Sequence, residues 1–126
     1  MKYAILIYSN PQPWGHPTAD YLEVYQTFPA ERRALMDQEF DELLAELQSK
    51  GELISAEALG DPAASTLYRW GEEGEKLATK GPYAERPEHL AGYFLIKVSS
   101  QQRAEQIAAG FSGPGETIEL RPVFGS

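Results

Sequence analysis

Two short segments of the chain, Tyr3–Tyr8 and Leu90–Val98, predict β-strands whose two faces are both apolar. In the first, Tyr3, Ile5 and Ile7 alternate with Ala4, Leu6 and Tyr8; in the second, Phe94, Ile96 and Val98 alternate with Tyr93 and Leu95. A strand of this kind is central, or its sheet is covered on both faces. The rest of the chain must therefore supply cover for both sides of these strands.

The segment Ala30–Lys50 carries the strongest helix pattern, and Gly51 is a typical helix terminator. The apolar residues that share one helical face are Met36, Phe40, Leu43, Leu44 and Leu47. Charged residues fill the remaining face, which predicts that Asp37, Asp41 and Glu42 lie at the solvent surface.

The other elements follow from alternation and turn residues. We predict a strand at Glu52–Leu59, a β-hairpin formed by Thr66–Trp70 and Glu75–Thr79, a short helix that ends near Gly110, and a last strand at Thr117–Val123. In the strand Glu52–Leu59, the residues predicted to lie under a helix are Ile54, Ala56 and Ala58, whereas Leu53, Ser55, Glu57 and Leu59 form the opposite set.

Capping residues refine two of the helices. Ser99 and Gln102 have the spacing of a capping box for the short helix near Gly110. Thr18 is suited to cap a further short helix in the proline-rich segment Ser9–Pro29, presenting Tyr21, Val24, Tyr25 and Phe28.

Without the hairpin, the predicted order is β-α-β-β-α-β, which is typical of an α+β, ferredoxin-like domain spanning residues 1–126. Both helices of that arrangement lie on one face of the sheet, so the other apolar face needs a different cover. We expect a homodimer that packs sheet to sheet as a dimeric α+β barrel, with a cavity between the sheet and the partner subunit.

Composition excludes several classes of function. The chain has 11 basic and 19 acidic residues, a net charge of −8, and no basic run of the kind that binds nucleic acid. It has no cysteine, which excludes disulfides and thiolate ligands and favours a cytoplasmic location. No membrane span, nucleotide motif or histidine cluster for a metal is present in the sequence, so we expect no cofactor and no metal.

The candidate site residues come from the predicted faces and loops. Tyr8 and Tyr93 are expected to share the sheet face away from the helices with Glu57, where they would line the dimer cavity, and dimer packing is an equally available role for both tyrosines. Trp14 and His16 lie in the loop that would close such a cavity, although a tryptophan in a loop also serves as a packing anchor. Glu57 and His16 are the candidate general bases.

Three parts of the sequence resemble the YCII-related family in its DGPF subgroup. They are the opening Met1-Lys2-Tyr3 through Leu6-Ile7-Tyr8, the stretch Ala78-Thr79-Lys80-Gly81-Pro82-Tyr83-Ala84-Glu85 followed by His89-Leu90-Ala91-Gly92-Tyr93-Phe94-Leu95-Ile96, and the closing Ile118-Glu119-Leu120-Arg121-Pro122-Val123. The resemblance implies a dimeric α+β barrel of bacterial origin, and the association of DGPF-type proteins with alternative sigma factors implies a regulatory link. Relatives in the wider group resemble enzymes, with a proposed His and Asp pair for acid-base chemistry, and one is a dehydrochlorinase.

The sequence departs from the family pattern at its signature. Lys80 stands where the subgroup has Asp, Tyr83 where it has Phe, and Ala91 where it has Gly. The helix Ala30–Lys50 contains no histidine, so the His of the proposed pair has no counterpart there. Glu85 matches the signature and is either a ligand-binding residue or a partner for neighbouring basic side chains.

Two functions remain open at this point. The first is binding of a small, planar or aromatic organic molecule, with or without a lyase-type reaction that needs no metal. The alternative is a non-catalytic regulatory or interaction module that binds a protein partner through Tyr68 and Trp70 of the hairpin.

Overall fold

The computed structural model describes residues Met1–Ser126 as an α+β domain, as the sequence predicts. A four-stranded antiparallel sheet is formed by β1 (Lys2–Ser9), β2 (Leu53–Ala58), β5 (His89–Lys97) and β6 (Thr117–Pro122), and a separate hairpin by β3 (Thr66–Trp70) and β4 (Lys76–Lys80). The helices are α1 (Glu23–Gln26), α2 (Ala30–Ser49) and α3 (Gln101–Phe111). No helix combines the length and the apolar character needed to cross a membrane.

The strand order in the main sheet is β2-β5-β1-β6, which is consistent with a ferredoxin-like fold. The two strands that are apolar on both faces, β1 and β5, are the central pair. Their register places Ile5 opposite Phe94 and Leu6 opposite Tyr93. Since paired residues share a face, this register confirms the predicted alternation and puts Tyr8 and Tyr93 on the same side of the sheet.

The hydrophobic core lies between the sheet and the two longer helices. Its buried residues are Tyr3 and Ile5 of β1, Ile96 and Val98 at β5, Leu47 of α2, and Ala104, Ile107 and Phe111 of α3. All the sheet residues in this set are on one face, which is therefore the helix-covered face. The opposite face carries Ala4, Leu6, Tyr93 and Leu95, which are half-buried, and we call it the open face.

The helix α2 begins and ends within one residue of the prediction, but its apolar face is buried only at its C-terminal end. Leu47 is fully buried, Leu43 and Leu44 are half-buried, and Phe40 is 40% exposed. The 20 residues of α2 correspond to about 30 Å of helix, whereas the 11 residues of α3 cover only about 16 Å. The N-terminal half of α2 therefore extends past α3 and stands over the sheet without close packing.

Three local predictions were wrong. The helix predicted after Thr18 is a 3₁₀ turn at Thr18–Tyr21 and the single turn α1, because Leu22 between them has an extended backbone. The cap of α3 is Ser100 instead of Ser99: its hydroxyl accepts a hydrogen bond from the backbone N–H of Arg103 at 3.1 Å.

The third error concerns β2. A register irregularity between Leu53 and Ser55 places Leu53 opposite Ile96 and against the core, while Ile54 is 45% exposed. The bulge reverses the faces assigned to these two residues but leaves Ala56 opposite Phe94 on the helix-covered face.

Candidate functional site

A cavity of about 660 Å³, which we call the large cavity, lies between the N-terminal half of α2 and the helix-covered face of the sheet. Ile7, Ala56, Ala58 and Phe94 of the sheet, Phe40 of α2 and Phe111 of α3 supply most of its apolar surface. Cavities of this size and composition are typical of small-molecule sites. It exists because α2 extends beyond the part of the core that α3 fills.

Three phenylalanines form the most ordered apolar surface of the cavity. The rings of Phe94 and Phe111 are stacked, with centroids 4.4 Å apart and an interplanar angle of 11°. The ring of Phe40 meets both edge-on, at centroid distances of 6.3 Å from Phe94 and 5.5 Å from Phe111. Such contacts hold aromatic rings in defined orientations, so they present a fixed surface to a ligand.

Small residues keep the sheet side of the cavity open. Ala56 and Ala58 are both exposed although they lie on the helix-covered face, because no side chain of α2 fills the space above them. Gly92 lies beside them, and a Cβ there would stand 2.8 Å from the carbonyl oxygen of Glu57. The close approach of β2 and β5 therefore requires glycine at this position.

The loop after β1 forms one end of the cavity and is attached to the end of β2 by a single carbonyl group. Trp14 Nε1 donates to the Leu59 carbonyl oxygen at 2.9 Å, and His16 Nε2 lies 2.7 Å from the same oxygen. Since a carbonyl only accepts, the contact requires the proton of His16 on Nε2, which leaves Nδ1 of the neutral ring as an acceptor. The two rings meet edge-on at 6.3 Å.

Two pairs of polar side chains join the loop segments to the cavity wall. The Tyr25 hydroxyl donates to Asp37 Oδ1 at 2.6 Å, and the Thr18 hydroxyl donates to Glu116 Oε2. Burial, together with the hydrogen bond to the Asp37 carboxylate, raises the pKa of Tyr25 to about 12. The Tyr25 hydroxyl is therefore protonated at neutral pH, and both carboxylates are fixed in position by a neutral donor.

The structure divides the sequence-predicted site residues between two places. His16 borders the large cavity. Glu57 and Tyr93 are directly paired across β2 and β5 beside it, but Tyr93 is opposite Leu6, so both side chains lie on the open face. Trp14 does not border this cavity but binds the same Leu59 carbonyl oxygen as His16. Tyr8 borders a second cavity of about 540 Å³ near His89, and Glu85 borders neither of the two.

Tyr8 belongs to a polar group on the open face. Its hydroxyl donates to Glu119 Oε1 at 2.8 Å, and Arg121 binds the other carboxylate oxygen of Glu119 at 2.7 Å. The hydrogen bond to Glu119 raises the pKa of Tyr8, whereas the bonds from Tyr8 and Arg121 lower the pKa of Glu119. This arrangement holds a phenol and an ion pair at the rim of the open face, away from the large cavity.

The signature Gly-Pro turn has a packing role. A Cβ on Gly81 would stand 2.7 Å from the Ser65 Cβ and 2.8 Å from the Pro62 carbonyl oxygen, and the Gly81 N–H donates to the Ser65 carbonyl at 2.7 Å. The hairpin is thus joined at its base by a glycine that no larger residue can replace. Lys80, one of the three residues that depart from the signature pattern, ends β4 and is exposed.

Several residues of the site were not singled out from the sequence. Asp37 is exposed, as predicted, but it also borders the cavity, and Phe40, which the sequence assigned to the core, is 40% exposed. Tyr25, Thr18 and Glu116 are far apart in the chain and carry no motif. The only local signal was the wide apolar face of α2, which is longer than α3 can cover.

Comparison with known proteins gives a family. The family model of the YCII-related domain matches residues 1–124. No curated protein matches the sequence.

Proposed function

The chain belongs to the YCII-related family, and from this starting point we propose that it binds a small, largely apolar organic molecule in the cavity between α2 and the sheet. The observation that carries the proposal is the cavity of about 660 Å³, which has a floor of three phenylalanine rings and an acidic border. Contact of the apolar walls of this cavity with water costs free energy, and a bound apolar molecule would remove that cost.

A reaction at this site would use acid-base chemistry of the lyase type. His16 is the better placed of the two candidate bases, because its Nε2 is held by the Leu59 carbonyl while Nδ1 is able to accept a proton. Glu57 lies on the edge strand β2 and is exposed, so its carboxylate is solvated. Asp37 is one of three carboxylates of α2 that border the cavity, and it is the one held by a hydrogen bond from Tyr25.

A cavity-filling variant tests binding. Ala56→Phe places an aromatic ring in the cavity, and Ala45→Phe adds the same ring at an exposed position of α2 outside it. We expect the uncharged dye Nile red to show a blue-shifted, enhanced emission with the unmodified protein and with Ala45→Phe, but not with Ala56→Phe. Equal emission from the two variants would refute binding in this cavity.

The second candidate function is that of an interaction module, and the hairpin is the observation in its favour. Tyr68 and Trp70 are each 76% exposed, Leu77 is 45% exposed, and the hairpin makes no strand pairing with the main sheet. An isolated two-stranded hairpin is marginally stable in water, so a surface that packs against these side chains would stabilise it.

We propose that a second copy of the chain packs against these hairpin side chains. The same copy would cover the open face of the sheet, as in the dimeric α+β barrel of the DGPF subgroup. The apolar residues Leu6 and Leu95 on that face support this proposal. Sedimentation velocity at micromolar concentration is expected to give a dimer for the unmodified chain and a monomer for Leu95→Glu. Leu35→Glu, at an exposed position of α2, is the matched control and is expected to stay dimeric. A monomeric unmodified chain would contradict the proposal.

A further inference from the structure

The border of the large cavity is charged with one sign only. The acidic residues that border it are Asp37, Glu39 and Asp41 of α2 and Glu116 before β6, whereas Glu57 of β2 lies beside it with its side chain on the open face. No lysine or arginine borders it, and its one basic side chain is His16. Extending the proposed function of this cavity, on which the inference rests, we propose that the ligand is an organic cation: a primary or substituted amine attached to an aromatic or aliphatic body.

Two of these carboxylates are fixed and are not neutralised by a cation. Asp37 and Glu116 each accept a hydrogen bond from a neutral hydroxyl, of Tyr25 and Thr18 respectively, and neither forms an ion pair. A carboxylate has about four acceptor positions, so each retains free acceptor capacity. They are therefore held in place with their charge intact, as a site for a cation requires.

The ion pairs of the chain are all elsewhere. They neutralise Glu46 on the C-terminal part of α2, Glu52 before β2 and Glu119 on the open face. Arg33 is the basic residue next to Tyr25, and its Nη1 donates to Gln26 at 3.2 Å instead of pairing with a carboxylate. None of these ion pairs includes a carboxylate of the cavity border, so the border keeps its negative charge.

The floor of the cavity suits the same class of ligand. The faces of aromatic rings carry partial negative charge and attract ammonium groups within about 6 Å of the centroid. The cluster of Phe40, Phe94 and Phe111 therefore binds the apolar body of an amine by contact and its charged end by electrostatic attraction. An anionic ligand would meet the carboxylates without a compensating cation, which disfavours it.

Three probes of nearly equal size separate charge from shape: 2-phenylethylamine, 2-phenylethanol and 3-phenylpropionate. Titration followed by protein NMR at pH 7 is expected to give a Kd for the amine about tenfold lower than that for the alcohol, with the carboxylate weakest. A tenfold difference is within the range of one charge-assisted hydrogen bond. The preference is expected to shrink as salt concentration rises.

Variants assign the preference to the cavity. Asp37→Asn and Glu116→Gln are each expected to weaken the amine about three- to tenfold and to leave the alcohol unchanged. Glu42→Gln is the matched control, since Glu42 lies on α2 outside the cavity border and accepts a bond from Gln38. It is expected to bind the amine as the unmodified chain does.

The outcomes distinguish this inference from the proposed function. If the alcohol or 3-phenylpropionate binds as tightly as the amine, or if Glu42→Gln weakens the amine as much as Asp37→Asn, the inference is refuted while binding in the cavity stands. If none of the three probes binds and Nile red emission is the same for Ala56→Phe and Ala45→Phe, both are refuted.

Discussion

The partial burial of α2 predicts that its two ends contribute very differently to stability. Leu47 near the C-terminal end is fully buried in the core with Ile5, Ile96 and Ile107, whereas Leu35 near the N-terminal end is 54% exposed. Leu47→Ala removes buried methyl and methylene groups and leaves a cavity, which costs about 3 kcal/mol for a fully buried leucine. Leu35→Ala removes largely hydrated groups, so its cost is about 0.5 kcal/mol.

These values translate into melting temperatures that are easy to separate. The entropy of unfolding is about 2.1 cal/mol/K per residue, or roughly 0.26 kcal/mol/K for this chain, so Leu47→Ala is expected to lower Tm by roughly 11 °C. Leu35→Ala is expected to lower Tm by roughly 2 °C. Thermal unfolding followed by circular dichroism at one fixed protein concentration measures both.

A second readout locates the effect within the helix. Amide hydrogen exchange along Ala30–Ser49 is expected to be faster in the N-terminal half, which stands over the cavity, than around Leu47. Equal Tm losses for the two variants, or uniform protection along α2, would refute the view that only the C-terminal half of this helix is anchored.

Three further predictions concern ion pairs, a buried phenol and strand spacing. Hydrogen bonds from Arg103 lower the pKa of Glu52 below its usual value, so the stability that this pair provides is present above the usual carboxyl pKa and is lost as pH falls below it. In Arg103→Gln, the midpoint of urea unfolding is therefore expected to decrease less between pH 7 and pH 3 than in the unmodified chain. An equal decrease in both would contradict this. Because the pKa of Tyr25 is raised to about 12, its contribution to stability is complete below pH 10 and is lost between about pH 10 and pH 12. Ultraviolet titration should show a phenol that ionises near pH 12 and that Tyr25→Phe removes. Gly92→Ala is expected to cost about 1–3 kcal/mol, since the new Cβ meets a backbone carbonyl oxygen at 2.8 Å, whereas Gly60→Ala, with no atom within 4 Å, is expected to be nearly neutral in chemical denaturation.

Local patterns in the sequence were sufficient for the elements and for much of their arrangement. The period-two alternation of β1 and β5 fixed which residues share a face, and their apolar character on both faces made them the central strands. The helical spacing of apolar residues predicted α2 within one residue at its C-terminal end. Alternation and helical spacing follow from backbone geometry, which is why they can be read without a tertiary structure.

Short-range details were less predictable. The cap of α3 and the bulge in β2 each depend on a shift of one residue. In both places neighbouring residues have similar propensities, Ser99 beside Ser100 and Leu53 beside Ile54. Packing against the rest of the fold selects between such alternatives, so local propensity gives no preference.

The position of the site belongs to the tertiary structure. The sequence indicated His16, which borders the large cavity, and Glu57 and Tyr93, whose side chains lie on the opposite face of the sheet, but it gave no sign that the cavity lies under α2 or that Asp37 and Glu116 carry its charge. The cavity arises because a helix of 20 residues packs beside one of 11 over the same sheet, which leaves the longer helix partly unsupported. The cavity depends on the difference in length between two helices that are neighbours only in the folded chain. The alternation in each strand and the spacing in each helix are, in contrast, properties of single segments.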